Sequence, residues 1–195
     1  MSFVIGLTGP TGAGKSSVTD TAEELGFKII DCDLLARDAV RKGSDGLADV
    51  VKVFGECVLN TDGTLNRKKL AEIAFASPQD TELLNQTLLP HIVKLIRAQI
   101  DSPYVLLDAP TLFESGADSL CDEVIVVLSD KKMRKARIME RDGIDEQAAE
   151  LRINAGKDDD FYIQRTNNIV YNDCELSVLK QKIKKLLNKI MEEHN

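Results

Sequence analysis

Short apolar runs alternate with helical stretches along this chain. Phe3 to Leu7 is almost continuously apolar and stops at a glycine-rich turn, as a strand buried on both faces of a parallel sheet does, and it is expected at the sheet's centre. Lys15 to Leu25 has helical content, with Gly26 placed to end it, and Phe27 to Ile30 reads as a second strand. Helical spacing of apolar residues recurs over Asp33 to Lys42 and Leu47 to Phe54, separated by the break Gly43-Ser44-Asp45-Gly46. Thr61-Asp62-Gly63-Thr64 signals a turn inside an irregular excursion from Cys57 to Leu65, before a helix from about Arg67 to Ala76. Ser77-Pro78 restarts a helix with proline in its first turn, and Pro90 is expected to kink or interrupt it.

Tyr104 to Asp108 and Glu123 to Leu128 are two further buried-strand candidates, and Ile169 to Tyr171 is a short last strand. Between them, Lys131 to Arg165 is rich in both signs of charge and poor in continuous apolar character, which suggests helices projecting from the body as a mobile lid. Leu176 to Met191 reads as an amphipathic closing helix. Its apolar stripe and lysine face fit docking on the sheet better than a membrane surface. The alternation predicts an α/β fold with a central parallel sheet flanked by helices, in which ligands sit at the carboxyl ends of strands. One domain is expected over residues 1–195, with a helical region near 33–101 and the lid near 131–165.

Composition narrows the function classes. The chain has 195 residues, with 25 Lys and Arg against 32 Asp and Glu, a formal net charge of −7 and 43% hydrophobic residues. A chain of this length buries roughly 70% of its unfolded surface and needs no disulfide staples. The acidic balance argues against coating nucleic acid, which requires basic residues in excess. Cys32, Cys57, Cys121 and Cys174 lie far apart without metal-ligand spacing, and Cys32 fits plain packing. The N-terminal residues lack a signal peptide's basic region and cleavage site, and no window approaches ~18 uninterrupted apolar residues. A cytoplasmic protein with reduced thiols and no membrane partner is expected.

Gly9-Pro10-Thr11-Gly12-Ala13-Gly14-Lys15-Ser16 matches G-x-x-x-x-G-K-[ST] at every fixed position, between a predicted strand and a predicted helix. Such a loop curls so that backbone N–H groups meet phosphate oxygens, and the helix that follows adds its dipole. Gly9, Thr11, Gly12, Ala13, Gly14, Lys15, Ser16 and Ser17 are therefore the candidate ATP-binding residues, with Lys15 reaching the β- and γ-phosphates and Ser16 ligating Mg²⁺. Pro10 is tolerated only where no N–H is needed.

Asp31-Cys32-Asp33 puts two carboxylates on one side of extended backbone. Phosphoryl transfer needs a group that takes the acceptor's proton, and Asp33 is the candidate base, although either aspartate could instead cap the next helix. Asp108, ending an apolar strand, has the form of a Mg²⁺-supporting acid or of a plain turn former.

These residues resemble the dephospho-coenzyme A kinases over nearly the whole chain. Ile5-Gly6-Leu7-Thr8-Gly9 leading into Gly12-Ala13-Gly14-Lys15-Ser16 is similar to that family's opening, and Asp31-Cys32-Asp33-Leu34-Leu35-Ala36-Arg37 to its D-x-D segment. Leu65-Asn66-Arg67-Lys68-Lys69-Leu70 and the distinctive Asp108-Ala109-Pro110-Thr111-Leu112-Phe113-Glu114 resemble two further family segments. Arg137 to Asp142, with Ala148 and Arg152, is similar to the family's lid, and Asn167 to Asn172 to its adenine-holding segment, with Asn172 at the key position.

The resemblance implies ATP and Mg²⁺ as cofactors, dephospho-CoA as acceptor at its ribose 3′-hydroxyl, Asp33 as base, and a monomer or weak homo-oligomer. A closing lid could bring Arg137, or next Arg141, to the transferring phosphoryl group. The bland alternative is an exposed face with pairs such as Arg137 and Glu140.

The sequence departs from the family at three places. Its usual His-Pro is here Leu89-Pro90-His91, a lid Gln is Gly156, and the Gly after the adenine Asn is Cys174. His91 is read as a surface histidine or a shifted substrate contact, and Arg67 and Lys68 as acceptor contacts or solvated basic residues. Two other functions stay open: a kinase for another small-molecule or nucleoside hydroxyl, and a non-catalytic ATP-binding switch.

Overall fold

The computed structural model describes residues 2–194. Among them, five strands, β1 (Phe3–Thr8), β2 (Lys28–Asp31), β3 (Tyr104–Asp108), β4 (Glu123–Leu128) and β5 (Asn168–Tyr171), form one sheet in the order β2-β3-β1-β4-β5. β1 is central, as its apolar run predicts, and it pairs in parallel with both β3 and β4. The register sets Leu7 opposite Asp108 on one side and Ile125 on the other. The chain builds outward from β1 first toward β2 and later toward β5. The turn after β1 therefore lies where strand order reverses, the usual ligand crevice of an open parallel sheet.

The chain divides into two compact units. The first contains the sheet, helices α1 (Ser16–Glu24), α6 (Lys131–Asp142), α7 (Glu146–Asn154) and α8 (Asp159–Ile163), and the closing helix α9 (Leu176–Glu193). Its core joins Ile5 and Leu7 of β1, Leu106, Ile125 and Val127 of neighbouring strands, Val18 and Ala22 of α1, and Leu179, Ile183, Leu187 and Ile190 of α9. Each large side chain buried there contributes about 1.5–3 kcal/mol, which decides the fate of α9. Its apolar stripe docks beside α1 in this core, and Lys180 and Lys184 bind Glu24 of α1, both at 2.9 Å. No helix among the described residues is long and apolar enough to cross a membrane.

The second unit spans Asp31–Asp101 and takes in a detour at Phe113–Ala117. It holds α2 (Cys32–Ala39), α3 (Asp45–Phe54), α4 (Arg67–Ala74) and the long α5 (Pro78–Gln99), around a core of Val40, Leu47, Val50, Val58, Leu65, Leu70, Ala74 and Leu84. Asp31, Ser44, Asn66 and Ser77 cap these helices, each accepting from a backbone N–H three residues on. The excursion before α4 is a tight turn closed by an antiparallel bridge between Leu59 and Leu65, with Asp62 accepting from Thr64.

Two local expectations change. Gly46 lies inside α3 rather than in the break before it, because a β-carbon there would sit 2.3 Å from the Ala39 carbonyl, a closeness only glycine permits. Pro90 does not interrupt α5, which runs unbroken from Pro78 to Gln99. Pro90 and Gln86, whose carbonyl loses its bond to the missing N–H, are both exposed, so water can satisfy the helix there. His91 follows on the same helix. It is half-buried and its Nε2 lies 2.8 Å from Asp49 Oδ2 of α3, so it ties two helices together.

Candidate active site

The turn between β1 and α1 is shaped by its glycines. Gly9 has φ +143°, and a β-carbon on it would lie 2.3 Å from the Val127 carbonyl oxygen of β4, so the loop leaves the sheet in contact with backbone. Gly14 has φ +90°, and a β-carbon there would meet Asn172 Nδ2 at 2.2 Å. Both positions are closed to any side chain. Within the loop the Ala13 N–H donates to the Pro10 carbonyl at 3.2 Å, so Pro10 serves as an acceptor, the one backbone function proline retains. α1 then begins after Lys15 with no side-chain cap, in contrast to α2 through α8; the Ser17 N–H donates to the Gly14 carbonyl at 3.2 Å and the Val18 N–H to the Lys15 carbonyl at 2.8 Å. Lys15 Nζ reaches back over the loop to the Gly9 carbonyl at 2.9 Å.

The outer, carbonyl side of the loop is braced by α6 and by the end of β5. Arg137 Nη1 donates to the Gly12 and Ala13 carbonyls, each at 3.3 Å, and to Ser129 Oγ at 3.0 Å. Its Nη2 donates to the Asn172 carbonyl at 3.1 Å and to Asn172 Oδ1 at 3.2 Å. Asn172, only 6% exposed, donates from Nδ2 to the Ala13 carbonyl at 2.8 Å, and Ser129 Oγ donates to the Asn172 carbonyl. One turn earlier on α6, Arg134 is 5% exposed and donates from Nε to the Thr11 carbonyl at 3.0 Å. The carbonyls of Thr11, Gly12 and Ala13 are thus held from outside by donors.

The sequence motifs do not include Arg134 and Ser129. Arg134 lies three residues before Arg137 and four before the buried Ile138, so helical spacing alone puts it on the loop-facing side. Ser129, directly after β4, carried no comparable signal.

The charged stretch is less of a projection than its composition suggests. α6, α7 and α8 are helical as expected, yet Ile138, Ala149 and Ile153 form a small core between α6 and α7, and the start of α6 packs on the loop. Arg141, at the end of α6, does not join the loop. It binds Asp142, which also pairs with Arg152, and the Arg141 hydrogen bond holds the Asp142 carboxyl below its ordinary range. The hydrogen bond that Lys135 donates to Glu146 likewise raises its ammonium above the usual value, and the one that Lys131 donates lowers the Glu150 carboxyl. These exposed pairs knit α6 to α7.

Asp108 ends β3 beside the start of α1, where Thr19 Oγ1 lies 3.4 Å from its Oδ2. Ser16 stands one helical turn before Thr19 on the same face. A serine hydroxyl and a carboxylate are hard oxygen donors of the kind that Mg²⁺ takes, together with substrate phosphates and water. No group of three or more His, Cys, Asp or Glu that could hold a metal ion is found among the described residues.

In the second unit, Asp31 is the cap of α2, accepting from Leu34 N at 3.0 Å. Asp33 sits in the first turn of α2 with its side chain exposed. The capping role left open between the two aspartates therefore belongs to Asp31. Arg67 and Lys68 are exposed at the start of α4.

A family model described as dephospho-CoA kinase matches residues 3–177. A dephospho-CoA kinase of Enterococcus faecalis is 36% identical over 192 residues, covering 96% of each chain, and one of Pasteurella multocida is 37% identical over 193 residues, covering 95% of this chain and 94% of its own. Among solved structures, a dephospho-CoA kinase from Campylobacter jejuni superposes with a TM-score of 0.68 at 26% identity and full coverage of both chains. A shikimate kinase from Bacteroides thetaiotaomicron, 14% identical with a TM-score of 0.57, covers 97% of this chain and 98% of its own and shares the fold. With a matching family model over most of its length and relatives above one-third identity, the chain belongs to the dephospho-CoA kinase family.

Proposed function

We propose that this protein transfers the γ-phosphoryl group of ATP to the ribose 3′-hydroxyl of dephospho-CoA, giving CoA and ADP. The observation that supports the reading is the glycine loop, whose sequence has the phosphate-binding pattern and whose carbonyls are held from outside by Arg134, Arg137 and Asn172. A cradle held rigid in advance lets binding energy go into orienting the phosphoryl group rather than ordering the loop.

In this reading the loop from Gly9 to Ser17 receives the triphosphate, and Lys15 exchanges the Gly9 carbonyl for phosphate oxygens. Ser16 and Asp108 would hold Mg²⁺, which would draw charge from the phosphate oxygens when bound. The acceptor's 3′-oxygen attacks the γ-phosphorus, its proton passes to the Asp33 carboxylate, and the bond to the β-phosphate oxygen breaks to release ADP. Because Asp31 meets the backbone's need for a cap, Asp33 is not tied to that structural duty. Arg137 contributes a positive charge beside the cradle, and Asn172 acts on the nucleotide through the loop that it braces. Arg141 would have to leave its pair with Asp142 to contact the nucleotide. The protein would work in the cytoplasm with its cysteines reduced, as a monomer or weak homo-oligomer, without nucleic-acid partners.

Phosphorus NMR of the product tests the reading. A new monoester on the ribose 3′ position is expected, and a product phosphorylated elsewhere would overturn it.

A further inference from the structure

Glu114 has no part in this scheme. After Leu112 the chain leaves the sheet-bearing unit, spends Phe113–Ala117 in the helical unit, and returns at Asp118. The detour is held firmly. Asn85 Nδ2 of α5 donates to the Glu114 carbonyl at 3.2 Å, and Gly116 turns with φ +73°, its β-carbon position 3.8 Å from Leu89 of the same helix. On this pinned backbone, Glu114 Oε2 is buried and has no hydrogen-bond partner. No ion pair among the described residues includes Glu114.

A buried carboxyl oxygen without a donor is unfavourable for the folded protein by itself. A helical unit with capped helix starts and an apolar core of its own gains nothing structural from it. Such a group is retained at a cost where a ligand supplies the missing donor. We infer that Glu114 receives the 2′-hydroxyl of the acceptor's ribose, an inference that rests on the proposed function above. Carboxylates are suited to ribose hydroxyls, whose O–H groups they accept at short range. The ribose is also the part of the acceptor that must be held most closely, since its 3′-oxygen is the nucleophile. Glu114 and the proposed base Asp33 belong to the same compact unit. Glu114 is thus a specificity residue, selecting a ribose over a deoxyribose acceptor.

The test is a cycle between protein and substrate. With saturating ATP and Mg²⁺, kcat/KM is measured for dephospho-CoA and for its 2′-deoxy analogue on wild type, Glu114→Gln and Glu114→Leu, along with the melting temperature of each protein. Wild type should lose about tenfold or more on the analogue, and Glu114→Leu a similar factor on dephospho-CoA, mainly in KM. In Glu114→Leu the analogue should cost less than a further twofold, because the contact is already gone. KM for ATP should stay within twofold, and the melting temperature should hold or rise. An equal analogue penalty in wild type and Glu114→Leu overturns the inference alone. So does a melting temperature lowered by several degrees in both variants, which would mark a structural residue. No turnover of dephospho-CoA by wild type overturns the proposed function, and this inference with it.

Discussion

Replacing Asn172 with Asp tests the brace by altering one end of one side chain. The amide's orientation follows from its partners, since the Ala13 carbonyl can only accept and the Arg137 guanidinium can only donate. Asn172→Asp keeps an acceptor for Arg137 and strengthens that bond by charge. At the other end it removes the donor to Ala13 and sets a carboxyl oxygen against a carbonyl oxygen 2.8 Å away. A buried acceptor stripped of its donor costs about 1–3 kcal/mol. Expressed in the loop's readiness to receive phosphate, that is roughly a 10–100-fold rise in the dissociation constant for Mg²⁺-ATP. Asn172→Ala loses both bonds, so its melting temperature should fall further than that of Asn172→Asp, by about 2–4 °C for each additional kcal/mol. Calorimetric titration with a non-hydrolysable ATP analogue reads the first quantity and a thermal melt the second. Wild-type affinity in Asn172→Asp, within twofold, would refute the claim that the outer hydrogen bonds maintain the cradle.

Three further outcomes are expected. Gly9→Ala forces a β-carbon to 2.3 Å from the Val127 carbonyl, so it should lose measurable ATP binding and lower the melting temperature, and a normal titration would show that the loop can move off β4. Asp33→Asn should bind ATP as wild type does while kcat falls ~100-fold or more, and near-normal turnover would remove Asp33 as the base. Hydrogen bonds from Lys184 and Lys180 hold the Glu24 carboxyl below its ordinary value, so the stabilisation is complete above the usual carboxylate range and is lost as pH falls through the lowered one. Glu24→Gln should therefore show a smaller drop in melting temperature than wild type between pH 5 and pH 3, with the difference shrinking in high salt; equal drops would show that the exposed pair contributes nothing.

Much of this molecule is legible in its sequence because burial enforces pattern. β3 and β4 fall where their apolar runs put them, β1 extends one residue beyond its run, and Gly26 ends α1 as a glycine with positive φ should. The glycine loop is equally legible, since its glycines answer to backbone geometry that no other residue satisfies. Pro90 misleads because its effect depends on which side of α5 it occupies, a tertiary fact. The lid region misleads in another way. Its charges hide a few buried positions, Arg134 and Ile138 above all, whose partners lie more than a hundred residues away in the loop or across a turn in α7. The roles of Asn172 and Ser129 in bracing the loop are long-range hydrogen bonds, and no local spacing announces them. Glu114 belongs to the same class, because a motif can name the residue but only burial reveals that its carboxyl oxygen has no donor.

The most direct test of acceptor-specific phosphoryl transfer is the initial rate of ADP formation from ATP and Mg²⁺, measured with and without dephospho-CoA. A kinase with a prebuilt cradle and a separate acceptor should release ADP slowly alone and at least 100-fold faster when dephospho-CoA is added, with one CoA formed per ADP. An ADP rate unchanged by dephospho-CoA, in protein that binds ATP normally, would contradict it.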